Sequence, residues 1–512
     1  MEKELLDRIR TSDPSLTKLH LVLEPSAYFD FHHDGRDNDK ALEAFLQLLR
    51  NNTSITYVLL ERRLARSLSK ANYRKLLQAI LEIPHLHQVE IWSQRVPWPA
   101  LWTALQAAKE LRKLGLGMVT LTDVMPVLVE EEKEESFLCK PHPTLETFYL
   151  SDFRLLPQVS ETQEDGNTSK AQPNLDPVLQ VLGQCPNLTQ VEIFSFPEER
   201  PCLSTIWPLF RATPHLTNVT LRRLHLPSSA VDSADTMPIA SPLRVLDMGE
   251  NPLEDHGCAS LLRRLSHTDS LWRTTLREVN LKNTSCTTEL SAVLWETLST
   301  DDATRESFSP LALEKLNLAS NKLRDQGAQV LARLLTQPTC QLQHLELARC
   351  HMTNVGATAL AHAMTQNNSL RVLGLAHNQI DNQAYVSFGQ ALARGNKTLQ
   401  SINLQVDRKL IQTSGCLALQ EMCRENTTLR NVSTLLNTVV ANAHGEYGNR
   451  IRMYLRLNQA GRVNVANNTA TLADWVQLLA TVQDDLFAIH FLVRTYPHYA
   501  ALMAQRLHLN QQ

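Results

Sequence analysis

The sequence predicts an α/β repeat solenoid, with one parallel strand and one helix per repeat, on three observations. Over residues 313–430, similar segments start at Leu313, Leu342, Leu370, Leu399 and Leu429, spaced 29, 28, 29 and 30 residues apart. Each opens with apolar residues alternating with polar ones, as Leu316 and Leu318 do, the period of a strand with one buried face. Each complete unit then continues, after a turn, with apolar residues at helical spacing, as Val330, Leu331, Leu334 and Leu335 do. No unit can bury its apolar face alone, so neighbours must stack.

Within one unit, each element has its own sequence signal. After the strand, the ninth position holds Asn321 and Asn378, with Cys350 as the third member. A buried amide there can bond backbone groups where the chain turns out of the strand. Asp325, Gly327 and Ala328 then open the helix. Run backwards, the register persists with poorer spelling, with starts at Leu276, Leu243, Leu216, Leu188, Leu145, Leu111, Leu86, Ile55 and Leu16. About fourteen strands are expected. N-x-[ST] sequons recur at Asn187, Asn218, Asn367, Asn396 and Asn426. Those at Asn187 and Asn396 sit at the junction before a strand, where Asn and Thr suit a turn.

Over 313–430 the pattern L-x-x-L-x-L-x-x-[NC]-x-[LIM]-x-x-x-G-A-x-x-L-A resembles the ribonuclease-inhibitor-like class of leucine-rich repeats. The resemblance is fair over 243–312 and degenerate over 16–242, where Gly-Ala and the ninth-position Asn are mostly missing. It implies a right-handed horseshoe with the parallel sheet inside and the helices outside, and protein–protein interaction as the usual role.

Four spans interrupt the period. Residues 130–143 carry the acidic run Glu130–Glu132, Glu134 and Glu135, and 157–177 read as a polar loop. Residues 227–241 replace the helix expected after the strand at Leu216, and 299–311 lengthen another return to the sheet. The expected domains are degenerate repeats over 1–242, regular repeats over 243–436 and a helical end over 445–512. In that end Ile451, Tyr454 and Leu455 make one apolar stripe, and Trp475, Leu478 and Leu479 another. It reads as a C-terminal helical cap, which an open repeat stack needs, or as a separate helical module. This tail resembles the ends of uncharacterised leucine-rich-repeat proteins of microalgae, which implies no function.

Composition narrows the function classes. The 512 residues carry 50 Lys+Arg against 53 Asp+Glu, a formal charge of −3, which gives no reason to expect nucleic acid. The nine cysteines are scattered without C-x-x-C, so no zinc ribbon or redox dithiol is expected. The opening MEKELLDRIR is charged where a secretory signal would be apolar, and no apolar run reaches membrane length. The expected setting is therefore cytoplasmic or nuclear, without membrane contact. No nucleotide-binding, zinc-protease or serine-hydrolase motif occurs, so neither catalytic residues nor a cofactor is expected. Residues 30–41 resemble a calcium loop only at Asp30, Asp34 and Gly35; Ala41 stands where a bidentate carboxylate is needed. Asp39 capping a helix over 40–50 is the plainer reading. The adjacent His32 and His33 point to opposite sides of an extended segment, so no metal is expected.

Strand alternation puts positions three, five and seven on the concave face. The third strand supplies Gln88, Glu90 and Trp92; the fourth, Lys113, Gly115 and Gly117. The fifth supplies Thr147, Tyr149 and Ser151; the sixth, Gln190, Glu192 and Phe194. Trp92, Tyr149 and Phe194 around two glycines would form a shallow aromatic-walled depression, and such residues dominate binding hot spots. Glu90 and Glu192 favour a partner protein with a basic segment. Later strands present Lys315, Asn317, Ala319, His344, Glu346, Ala348, Val372, Gly374 and Ala376, a blander face. A monomeric, non-enzymatic interaction module is the leading expectation. A regulator that activates a small GTPase is the alternative, although the acidic C-terminal tail of that repeat family is missing here.

Overall fold

A computed structural model describes residues 2–21, 37–61, 70–92, 95–122, 124, 140–156, 175–195, 203–210, 212–232, 241–267, 270–299, 311–405, 411–434 and 445–509. Asp30, His32, His33, Asp34 and Gly35, the acidic run at 130–135 and most of the other three insertions lie outside the described residues. The chain divides into two units, Met1–Leu276 and Arg277–Gln512.

Among the described residues of the first unit, ten strands follow in chain order. They are β1 (Lys18–Leu21), β2 (Tyr57–Leu60), β3 (Gln88–Trp92), β4 (Arg95–Pro97) and β5 (Lys113–Gly117). Then come β6 (Thr120–Thr122), β7 (Thr147–Leu155), β8 (Gln190–Ser195), β9 (Asn218–Arg222) and β10 (Val245–Asp247). Apart from β4 and β6, every one begins two residues after an expected repeat start, and neighbours pair in parallel, with one register shift between β7 and β8 past Ser151. Val58, Val89, Leu114, Phe148, Val191 and Val219 form one fully buried row across six strands. Each such side chain contributes roughly 1.5–3 kcal/mol of apolar burial, which is what fixes the register. Helices at Asp37–Arg50, Lys70–Leu81, Trp98–Leu105, Asp176–Leu182 and Glu254–Ser266 return the chain. The return within 227–241 contains a short 3-10 turn, Ser228–Val231. Near it the rings of Phe210 and Trp272 meet edge to face at 4.8 Å, a contact the degenerate sequence did not announce.

The degenerate spelling of this unit has a structural reason. The ninth positions of three of its repeats hold Val119, Phe153 and Leu224, all buried, while the last holds Asn251, which already bonds the Leu221 and Met248 carbonyls. In the three repeats starting at Leu86, Leu111 and Leu145 the segments after the bend pair as strands: β4 with β6, and β6 with the far end of β7. The Arg154 amide donates to the Val119 carbonyl at 2.8 Å. Strand pairing thus supplies backbone hydrogen bonds at this turn without a ninth-position amide.

The second unit carries β11 (Glu278–Asn280), β12 (Lys315–Asn317), β13 (His344–Glu346), β14 (Val372–Gly374), β15 (Ser401–Asn403) and β16 (Asn431–Ser433). All pair in parallel, again two residues after the expected starts. Here the ninth-position amides act as expected. Asn378 donates to the carbonyls of Leu347 and Leu375 and accepts from the amides of Cys350 and Met352, at 2.8–3.1 Å. Asn321 does the same between Leu281, Leu318, Thr284 and Cys286. Cys350 keeps half of that role, its thiol donating to the Leu318 carbonyl at 3.3 Å.

Helix starts form a second link between repeats. Asp325 caps not its own helix, Arg324–Leu335, but the next one, Asn354–Met364. Its carboxylate accepts from the amides of Thr353 and Gly356 and from the Thr353 hydroxyl. Asn382 accepts likewise from Gln412 and Gly415. The glycine of Gly-Ala is therefore steric: a Cβ on Gly356 would come within 2.7 Å of the Asp325 carboxylate.

The junction asparagines form a third link. Asn367, Asn396 and Asn426 are buried, three residues before a repeat start. Each accepts from the amides two and three residues ahead and donates to carbonyls of the preceding repeat. They are joints, not glycan acceptors. In the first unit the same place is taken by Asn52, Ile83, Ala108, His142, Cys185 and Thr213, all buried.

This third ladder runs on into the C-terminal helices. On the helix Gly445–Gln459, Asn458 donates to the carbonyls of Asn426 and Leu429 at 2.9 and 2.6 Å. Arg462, fully buried, donates to Cys423 and Asn426, and its guanidinium stands 5.5 Å from the Tyr454 ring. Carbonyls at the open end of the repeats are thereby satisfied. Helices Leu472–Thr481, Leu486–Thr495 and Pro497–Leu509 follow, with Trp475 and Leu478 buried as one apolar stripe. Tyr454 of the other stripe meets Phe491 edge to face at 5.1 Å.

Candidate functional site

The candidate face is the outward side of β3, β5, β7, β8 and β9 in the first unit. Register aligns two rows across it. One runs Glu90, Gly115, Tyr149, Glu192, Thr220; the other runs Trp92, Gly117, Ser151, Phe194, Arg222. Adjacent strands lie about 4.8 Å apart, so Trp92 and Phe194 are anchored roughly 14 Å from each other.

All five expected site residues are half-buried rather than fully exposed. The structure brings them into two groups. In the first, Glu90 accepts from Gln88 Nε2 at 2.7 Å and from Trp92 Nε1 at 3.3 Å. The Tyr57 hydroxyl hydrogen-bonds to the same carboxylate; burial, and then the charge of Glu90, push that hydroxyl's pKa up. In the second group, Tyr149 and Phe194 meet edge to face at 5.4 Å, and Glu192 accepts from Gln190.

The glycines do not leave the open floor that the sequence suggested. A Cβ on Gly117 would lie 2.6, 2.7 and 2.8 Å from Trp92 Cε3, Cδ2 and Cζ3. Three bonded ring atoms at nearly one distance mean that a ring face, not an edge, covers this glycine. Glu90 lies over Gly115 in the same way, its Cγ 2.9 Å from where a Cβ would be. The glycines are what let Trp92 and Glu90 lie down across the next strand.

Beside Gly117 in its row stands Ser151, only 1% exposed, with an Oγ that has no hydrogen-bond partner among the described residues. Past Phe194 the row ends in an internally paired cluster. Arg222 and Arg223 both bond Glu250 at 2.6 Å. Burial would push the Glu250 pKa up, but the two arginines together hold it below its ordinary value.

Sequence reasoning missed Tyr57 and the role of Ser151. Tyr57 is at position three of the second repeat, so the register alone would have placed it on this face. His20, one strand further out, lies edge-on to it at 5.6 Å. The sheet face of the second unit differs. Asn280, Asn317 and Asn403 accept from backbone amides two residues ahead of each, and Glu346 lies over Gly374. Among the described residues no three His, Cys, Asp or Glu side chains gather as a metal site would require, and no helix is long and apolar enough to cross a membrane.

Comparison with known proteins agrees with the repeat. A family model described as Leucine Rich repeat matches residues 312–332 and 340–361. The chain is 30% identical over 217 residues to pig (Sus scrofa) ribonuclease inhibitor, covering 42% of this chain and 43% of that protein. It is 33% identical over 194 residues to mouse (Mus musculus) NACHT, LRR and PYD domains-containing protein 14, covering 37% of this chain and 18% of that one. Human (Homo sapiens) NACHT, LRR and PYD domains-containing protein 3 is 30% identical over 190 residues, covering 36% of this chain and 17% of that one. The chain thus spans less than half the length of these relatives. Repeat spacing, parallel register, asparagine ladders and these matches make the chain a leucine-rich-repeat protein of the ribonuclease-inhibitor-like class.

Proposed function

We propose that the chain is a non-enzymatic interaction scaffold that binds a partner protein on the sheet face of its first unit, centred on Trp92, Tyr149 and Phe194. The observation that carries this reading is the aromatic platform itself. A tryptophan laid flat over a glycine and anchored by its Nε1 to Glu90 sits half-buried on the sheet face, already ordered for contact. Such pre-ordered aromatics lose little side-chain entropy on binding, and each can contribute about 2 kcal/mol. The carboxylates of Glu90 and Glu192 set a basic segment as the preferred partner surface. The matched relatives, a ribonuclease inhibitor and proteins named for NACHT, LRR and PYD domains, are consistent with binding as the role. In this reading residues 1–242 form the binding half, 243–436 the regular spine and 445–512 its closing cap.

Affinity capture with mass spectrometry tests the reading on three forms of the full chain. These are the unchanged protein, Trp92→Ser/Tyr149→Ser/Phe194→Ser, and Leu486→Ser/Phe487→Ser on the exposed C-terminal helix. The partner should be lost, with affinity down about tenfold or more, from the first variant and kept by the second. The reverse pattern would assign binding to the C-terminal helices. Capture of a small GTPase whose hydrolysis the protein accelerates would replace the scaffold reading with the regulatory one.

A further inference from the structure

We infer that the aromatic face contains a subsite for one arginine side chain of the partner, with Ser151 as its polar floor. The inference rests on the binding reading above and adds the chemistry of its central contact. Four observations converge. One face of the Trp92 ring covers Gly117, and the side chain is half-buried, not enclosed. Next in the row is Ser151, buried and with its hydroxyl unpartnered among the described residues. On the far side stand Phe194 and, edge-on to it, Tyr149. Two carboxylates, Glu90 and Glu192, flank Tyr149 in the adjoining row.

A group suited to all four must be cationic, for the carboxylates and the π faces. It must also donate a hydrogen bond, for Ser151, and be flat enough to lie against a ring. A guanidinium meets each demand, whereas an ammonium is a compact, strongly hydrated charge that stacks poorly. The Ser151 hydroxyl is covered in the free chain, so the half-buried rings beside it must part for the guanidinium to reach it, and the bond then formed displaces no water from the hydroxyl. Glu90 acts as a positioning residue. Its hydrogen bonds to Trp92 and Tyr57 fix the indole, and its charge lies beside the incoming cation.

The test uses the full chain labelled with 15N-tryptophan, the Trp92 indole resonance being assigned by its loss in Trp92→Phe. The probes are acetyl-Gly-Arg-Gly-amide and its lysine, citrulline and norleucine counterparts. The arginine peptide should shift the Trp92 resonance saturably, about fivefold or more tighter than the citrulline peptide, which has the same shape without charge. Ser151→Val should weaken the arginine peptide by about fivefold, and Ser151→Ala somewhat less. Gly117→Ala, which pushes the indole off its seat, should remove the response. An equal response to citrulline or norleucine would overturn the inference. So would an unchanged affinity in both Ser151 variants when their melting matches the unchanged protein. If capture succeeds through Trp92, Tyr149 and Phe194 while Trp92 ignores the arginine peptide, the binding face stands and this subsite does not.

Discussion

Asn426→Leu should cost the second unit about 3 kcal/mol or more, since buried backbone groups are left without partners. The asparagine donates to the carbonyls of Leu392 and Asn396 and accepts from the amides of Thr428 and Leu429. No apolar side chain replaces any of those four bonds. The carbonyl of Asn426 is also where Asn458 and Arg462 attach the C-terminal helices. The variant should therefore loosen residues 445–509 as well as lower the melting temperature. Asn187→Leu removes a sequon of the same spelling whose side chain is exposed, with its Nδ2 on the Pro143 carbonyl. Its cost should stay near the ~1 kcal/mol of a single net hydrogen bond. Chemical denaturation of both variants gives the comparison, and equal costs would show that the junction asparagines are turn formers only.

Gly183→Ala should destabilise the first unit by about 3 kcal/mol or more, although alanine is the better helix former by about 1 kcal/mol. Gly183 ends the helix Asp176–Leu182, where its φ of −64° suits any residue. The constraint is space. An added Cβ would overlap the Pro208 carbonyl oxygen, with the carbonyl carbon 2.7 Å and Leu209 Cα 3.0 Å away. Those are backbone atoms of a 3-10 turn, Trp207–Phe210, and cannot rotate aside. At Gly117 the atoms in the way belong to one aromatic side chain, so Gly117→Ala should disturb binding far more than melting. A Gly183→Ala protein that melts at the unchanged temperature would mean that the helix and the 3-10 turn pack less closely than described.

Much of this architecture was legible in the sequence because its signals are local. Strand alternation placed every repeat start, even where Leu-x-x-Leu had decayed to Ile-x-x-Val at Ile55 and Val58. The ninth-position amides at Asn321 and Asn378 were legible for the same reason. Other features depend on contacts between neighbouring repeats, which no single segment spells out. Asp325 caps the helix of the next repeat, and the sequon asparagines bond carbonyls of the preceding one. His142, Cys185 and Thr213 stand where those asparagines stand later in the chain, and nothing in their chemistry alone marks the equivalence. The pairing of β4, β6 and β7 was hidden because backbone hydrogen bonds leave no residue signature beyond buried apolar positions such as Val119 and Phe153. At the candidate face the aromatic and acidic residues followed from register. That Trp92 and Glu90 would lie across the two glycines did not, because it depends on rotamers.

Hydrogen exchange on the full chain, with and without its captured partner, bears most directly on the binding face. Protection should appear in peptides covering 88–92, 113–117, 147–151 and 190–194, and be absent there in the Trp92→Ser/Tyr149→Ser/Phe194→Ser variant. Protection confined to 445–509, or to the strands of the second unit, would contradict a binding face built on Trp92, Tyr149 and Phe194.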